Sequence, residues 1–183
     1  IENAAGERTT VGSGGGSTPA GSDREIQFNS GGSFFGASST FKLMSDGDLL
    51  LTGTYTGTAS VPMTGAGTRM FFDTQSSAFR AGTVSTDWPT VWDNANVGAD
   101  SIALGRDVRA RGIGSIAMGR WVETDGNPSY AFGYDIYADG QYSMVLGYEA
   151  ITTSSAPRSI AISSGNHDVN YPQISGAGSI AFF

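Results

Sequence analysis

The sequence predicts an all-β chain whose C-terminal half is a β-solenoid. Three observations carry this prediction: a composition poor in helix formers, glycine at every seventh residue from Gly98 to Gly147, and a serine-led apolar block every fourteen residues. Of 183 residues 27 are Gly and only 15% are charged, with Ser and Thr filling much of the rest, so turn formers dominate and helices are not expected. There is no Cys, which excludes a disulfide framework and thiolate metal sites and leaves another force to hold the fold together. Lys and Arg total 10 against 17 Asp and Glu, a net charge of −7 that argues against a nucleic-acid partner. No run of about 18 apolar residues occurs, so no membrane span is expected, and without an initiator Met or leader the sequence reads as a piece of a longer extracellular chain.

Residues 1–22 hold the Gly/Ser-rich stretch Gly12 to Ser17, which cannot bury enough apolar surface to offset chain ordering and is expected to be a flexible linker or stalk end. Residues 23–60 read as a small β module of short strand-like pieces, with Ser45-Asp46-Gly47 as a hairpin signal ahead of the Leu49-Leu50-Leu51 run. Residues 61–96 are less regular, and Phe71, Phe72, Phe79, Trp88 and Trp92 are expected to form an aromatic plug in a connector. The roll is assigned to residues 97–183.

Within it Ser101, Ser115, Ser129 and Ser143 each open a block of three apolar or aromatic residues closed by Gly. Each coil is then two short strands joined by two glycine turns, able to bury its apolar side only against neighbouring coils. Side-chain alternation puts Ile102 with Leu104 on one face, and Val108 with Ala110 on another, and both sets are expected to be core. Ala103, Ala117, Ala131 and Val145 then face the other way, as a stripe of small residues suited to contact with another subunit. A fourteen-residue coil offers few inward side chains, so oligomerisation is expected to supply the missing burial.

The blocks Ser101-Ile-Ala-Leu-Gly and Ser115-Ile-Ala-Met-Gly, at this spacing, resemble the head repeat of YadA-like trimeric autotransporter adhesins and of related phage-type tail-fibre and fibre-tip proteins. The resemblance covers residues 97–152, and the small β module is similar to those preceding such heads. It implies a trimeric left-handed parallel β-roll, three chains about a threefold axis, and a role in attachment at a cell surface or on a phage-like particle. The chain departs from the pattern after Ser143, where the next blocks open at Ser159 and Ser179, sixteen and twenty residues on. Insertions in a solenoid form loops, often on the binding face.

The inserted loop 163–175 carries Asn166, His167, Asp168, Asn170, Tyr171 and Gln173, a set of hydrogen-bonding groups and one ring that suits a sugar. Trp121 and Tyr137 lie on the outward face of neighbouring coils and are further candidates to stack on a pyranose or to pack against another subunit. Catalysis finds little support, since the single His167 and its neighbour Asp168 point oppositely on an extended chain. No metal or other cofactor is expected from a chain with one His and no Cys. Asp135 and Glu149 are the one carboxylate pair at a plausible glycosidase spacing, and a solvated acidic stripe explains them better. The expected function is attachment to a cell-surface glycan or other receptor by a homotrimeric, non-enzymatic fibre. A purely structural spacer, and behind it a glycan-degrading tailspike, are the alternatives.

Overall fold

The computed structural model describes residues 25–30, 34–164 and 171–183. The described chain is 46% strand and 2% helix, as a composition of turn and strand formers requires. It divides into two compact units, Ile1–Gly53 and Thr54–Phe183. In the first, strands β1 (Glu25–Ser30), β2 (Phe34–Leu43) and β3 (Leu49–Leu51) form an antiparallel sheet in that order. The β2–β3 turn forms where Asp46-Gly47 predicts it: Gly47 takes φ +94°, and the Met44 amide donates to the Asp48 carbonyl at 2.7 Å.

The second unit begins with an antiparallel hairpin, β4 (Gly67–Asp73) and β5 (Ala78–Val84), and β5 then pairs in parallel with the first strand of the solenoid. Of the aromatics expected to plug this region, Trp92 is fully buried and donates its indole N–H to the Val108 carbonyl at 2.7 Å, with Phe71 edge-on at 6.0 Å. Trp88 and Phe72 are exposed.

The solenoid coils follow. Their first arms are β6 (Ile102–Arg106), the start of β8 (Ile116–Thr124), the start of β9 (Tyr130–Ala138) and β10 (Met144–Tyr148). Their second arms are β7 (Arg109–Ala110), the ends of β8 and β9, and β11 (Ile151–Thr152). Every pairing is parallel and in steps of fourteen, with Ile102 opposite Ile116, Ile116 opposite Tyr130, and Tyr130 opposite Met144. The result is a β-solenoid of about four turns. Beyond it β12 (Ile160–Ser163), β13 (Gln173–Ile174) and β14 (Ile180–Phe182) keep the register, Met144 pairing with Ile160 and Ile160 with Ile180. The extra residues are absorbed between strands.

The second arm is buried as its alternation predicts: Val108, Val122, Ile136 and Ala150 are fully inside, as are Ala110, Thr124, Ala138 and Thr152. The first arm is turned over relative to the expectation. Ala103, Ala117, Ala131 and Val145 are fully buried, whereas Ile102 and Leu104 are half-exposed and Met118 is 36% exposed. The small residues are the core and cannot be a subunit contact. The reason is the short coil: two facing arms leave a narrow interior that the branched side chains of the second arm nearly fill, so the first arm contributes alanine.

Coil stacking also explains the seven-residue glycine period. A Cβ on Gly105, Gly119 or Gly133 would overlap the carbonyl oxygen of the glycine one coil on, and one on Gly98, Gly112 or Gly126 would meet backbone of the next coil at the other bend. The buried serines bond inward. Ser115 Oγ donates to the Gly112 carbonyl at 2.7 Å and accepts from Thr124 Oγ1 at 3.1 Å, and Ser143 pairs with Thr152 at 2.8 Å. Ser129 has Ala138 at the position of those threonines, and its hydroxyl has no partner. Arg80 occupies the Ala103 column at the N-terminal end of the stack. Its buried guanidinium donates to the carbonyls of Phe79, Ser101 and Ala110 and to Ser101 Oγ, at 2.7 to 3.0 Å. Burial lowers its pKa to about 10, partly offset by the charge of Asp73.

Candidate functional site

The site is built at the bend that leads from the first arm to the second. Asp107, Trp121, Asp135 and Glu149 hold this position in successive coils, with φ between 47° and 55°. Asp accepts the left-handed region readily; for an indole it is an outlier costing about 1 kcal/mol or more. The chain therefore holds Trp121 in a strained conformation that places its half-buried ring at the corner.

The fourteen-residue register sets a ladder beside it. Arg120 pairs with Tyr134, and Tyr134 with Tyr148. The two tyrosine rings are stacked, 4.9 Å apart and 3° from parallel, because coil spacing nearly matches ring spacing. Trp121 meets the edge of Tyr134 at 5.2 Å, and the Arg120 guanidinium lies 4.1 Å from the indole centroid and 5.7 Å from that of Tyr134. Burial, and then the charge of Glu149, raise the Tyr148 pKa, so its hydroxyl remains a donor at neutral pH.

A second cluster adjoins on the outward side of the second arm. Asp135 accepts hydrogen bonds from Tyr171 at 2.6 Å and Tyr137 at 3.2 Å, and these two rings meet edge to face at 6.2 Å. The bond to Asp135, followed by burial, pushes the Tyr171 phenol up to about 12, and burial first of all pushes Tyr137 well above its ordinary value. Both stay protonated and keep Asp135 occupied as an acceptor, which is a poor arrangement for a nucleophile or general base.

Nearby, Arg109 bonds Glu123 and also lies 3.3 Å from Asp125, which Arg111 bonds in turn. Burial raises the pKa of Glu123 in spite of Arg109, and burial followed by the charge of Asp125 raises that of Asp139. Among the described residues no group of three or more His, Cys, Asp or Glu is arranged to hold a metal ion, and no helix is long and apolar enough to cross a membrane.

Of the residues predicted for the site, Tyr137 and Tyr171 come together on Asp135, and Trp121 joins the separate ladder of Arg120, Tyr134 and Tyr148. Gln173 is exposed on β13, paired with Ile151. Asn166, His167, Asp168 and Asn170 lie outside the described residues. Tyr134 and Tyr148 were legible as a column, since they stand fourteen apart and directly follow the repeat glycines Gly133 and Gly147. No protein-family model, curated protein or solved structure matches the chain.

Proposed function

We propose that the chain is a segment of a homotrimeric, extracellular fibre that attaches to a cell surface through a carbohydrate. The observation that carries this reading is the outward face of the first arms. Ile102, Ile116 and Met144 form one apolar column and Leu104, Met118 and Leu146 the next, all partly exposed on a parallel sheet. Parallel sheets are ordinarily covered on both faces, and an apolar sheet face of this extent is a contact surface. A second and third copy of the same rod cover it along its whole length. Threefold association rather than twofold follows from the resemblance of the Ser-Ile-Ala-Leu-Gly repeat to trimeric heads. The aromatic rings and carboxylates at the bend supply what sugar recognition needs, flat apolar faces beside polar groups.

Light scattering behind a sizing column tests assembly. A mass near three times 18.9 kDa is expected, and a stable monomer overturns the trimer. The spacer reading has its own support, because Trp121 and Tyr137 already pack on neighbours in their own chain. Glycan binding by the purified trimer separates the two.

A further inference from the structure

We infer that the sugar site is shared between two copies: Tyr134 and Tyr148 of one chain and Tyr142 of the next line a single groove that takes a chain of neutral hexopyranoses. This rests on the trimeric, sugar-binding reading above and adds where the site lies and what it selects.

The apolar sheet has two borders. At the strand starts stand Asp100, Gly114, Pro128 and Tyr142, and at the strand ends Arg106, Arg120, Tyr134 and Tyr148, each set spaced by the coil repeat. When identical copies turn this face toward a common axis parallel to the rods, the strand-start border of one adjoins the strand-end border of the next. At the first coil this brings Asp100 against Arg106. Asp100 is exposed and accepts from Tyr55 at 3.2 Å, and the Arg106 side chain, 51% exposed, lies 3.4 Å from Asp107 of its own chain, so opposite charges face each other across the border in competition with these contacts. At the fourth coil it brings Tyr142 against Tyr148.

Tyr142 is the second observation. It is 55% exposed and sits at φ +58°, at a turn position held in the other coils by Asp100, Gly114, Pro128 and Arg158, of which Asp100, Gly114 and Arg158 also have positive φ. Tyrosine, like Arg158, tolerates the left-handed region poorly, and the exposed ring gains no burial within its own chain in exchange. Trp121 shows the same exception at the other border, with φ +55°. Tyr142 is thus the exposed ring of the strand-start border, while Trp121, at the opposite bend, packs on Arg120 and Tyr134 where the ladder changes from arginine to tyrosine. Tyr134 and Tyr148 occupy each other's facing sides, so the exposed ring of Tyr142 supplies the face for a pyranose C–H surface, with the edges and hydroxyls of Tyr134 and Tyr148 beside it. Asp135 and Glu149 at the same bend, on a chain of net charge −7, disfavour sialylated or uronic-acid ligands.

Tyr142→Ala and Tyr148→Ala test the groove, with immobilised neutral gluco- and galacto-oligosaccharides as probes and sialylated and uronic-acid chains of equal length as the charged arm. Each variant is expected to keep the trimer mass and lose at least about tenfold in affinity, the scale of one stacking contact. Co-refolding the two variants in equal amounts is expected to restore about one quarter of the wild-type sites, since only a Tyr148 copy beside a Tyr142 copy rebuilds a groove. Trimers without restored binding place the site within one chain and overturn the inference. Preference for the charged probes, or no binding to any probe by a trimer, overturns the ligand class or the site. A monomeric mass instead overturns the assembly reading beneath it. Asp100→Arg and Arg106→Asp check the border contact separately: each alone lowers the trimer fraction and together they recover it, and equal loss in the double variant rejects that register.

Discussion

The two arms of each coil both stack in parallel on their counterparts in the next coil, yet they distribute their side chains in opposite ways. The second arm puts Val108, Val122 and Ile136 inside and the partly exposed Arg109 and Tyr137 on the other face, as a half-solvated strand does. The first arm puts Ala103, Ala117 and Ala131 inside and its large apolar residues outside. The difference teaches that hydrophobicity does not select the inward face when the interior is narrow. Volume does, and the displaced apolar surface becomes a face that needs a partner.

Enlarging the interior of the first arm breaks this comparison most severely. Ala117→Leu is expected to cost about 3 kcal/mol or more in denaturant unfolding, because coils stacked at strand spacing cannot move apart around three added carbons. Its neighbour is the control. Ile116→Asp is expected to leave the far-UV circular dichroism of the folded rod unchanged while lowering the mass seen by light scattering. Equal loss of fold in both variants would reject the assignment of faces.

A gain of function inside the core sharpens the comparison at about 1 kcal/mol. The serines at 115 and 143 bond the threonines nine residues later, and Ser129 faces Ala138 with its hydroxyl unpartnered. Ala138→Thr is expected to raise the unfolding free energy by about 0.5–1 kcal/mol by completing this pair. A destabilised variant would show that the coil at Ser129 has no room for the added methyl and hydroxyl.

The smallest effect belongs to the polar side of the second arm. Glu123 and Asp139 have raised carboxyl pKa values in the fold, so the folded state binds their protons more tightly. The stability this provides is fully present below the ordinary carboxylate range, about pH 4, and is lost as pH rises through the raised values. Glu123→Gln with Asp139→Asn is expected to flatten the fall in stability between about pH 4 and 7, read as midpoint shifts in urea. An unchanged slope would assign that fall to other carboxylates.

The all-β class, the solenoid and its fourteen-residue register were legible in the sequence, because Gly98 to Gly147 and the serine blocks are steric requirements repeated at each bend. The site was legible in part. Tyr137 was found as an outward ring and Tyr171 as the ring of the inserted loop, but the convergence of Tyr171 on Asp135 spans 36 residues and depends on how the later coils return to the stack. Arg120 was missed, because a lone arginine beside a tryptophan carries no signal until the next coil lays Tyr134 against it.

What the sequence determined by itself was periodicity: where the chain bends, which residues stack in columns, and that no helix interrupts them. Which side of the first arm faces inward was decided only by the tertiary structure. Alternation defines two faces without naming them, and the choice rests on the space between two arms, a quantity set by the closed coil and absent from either strand alone.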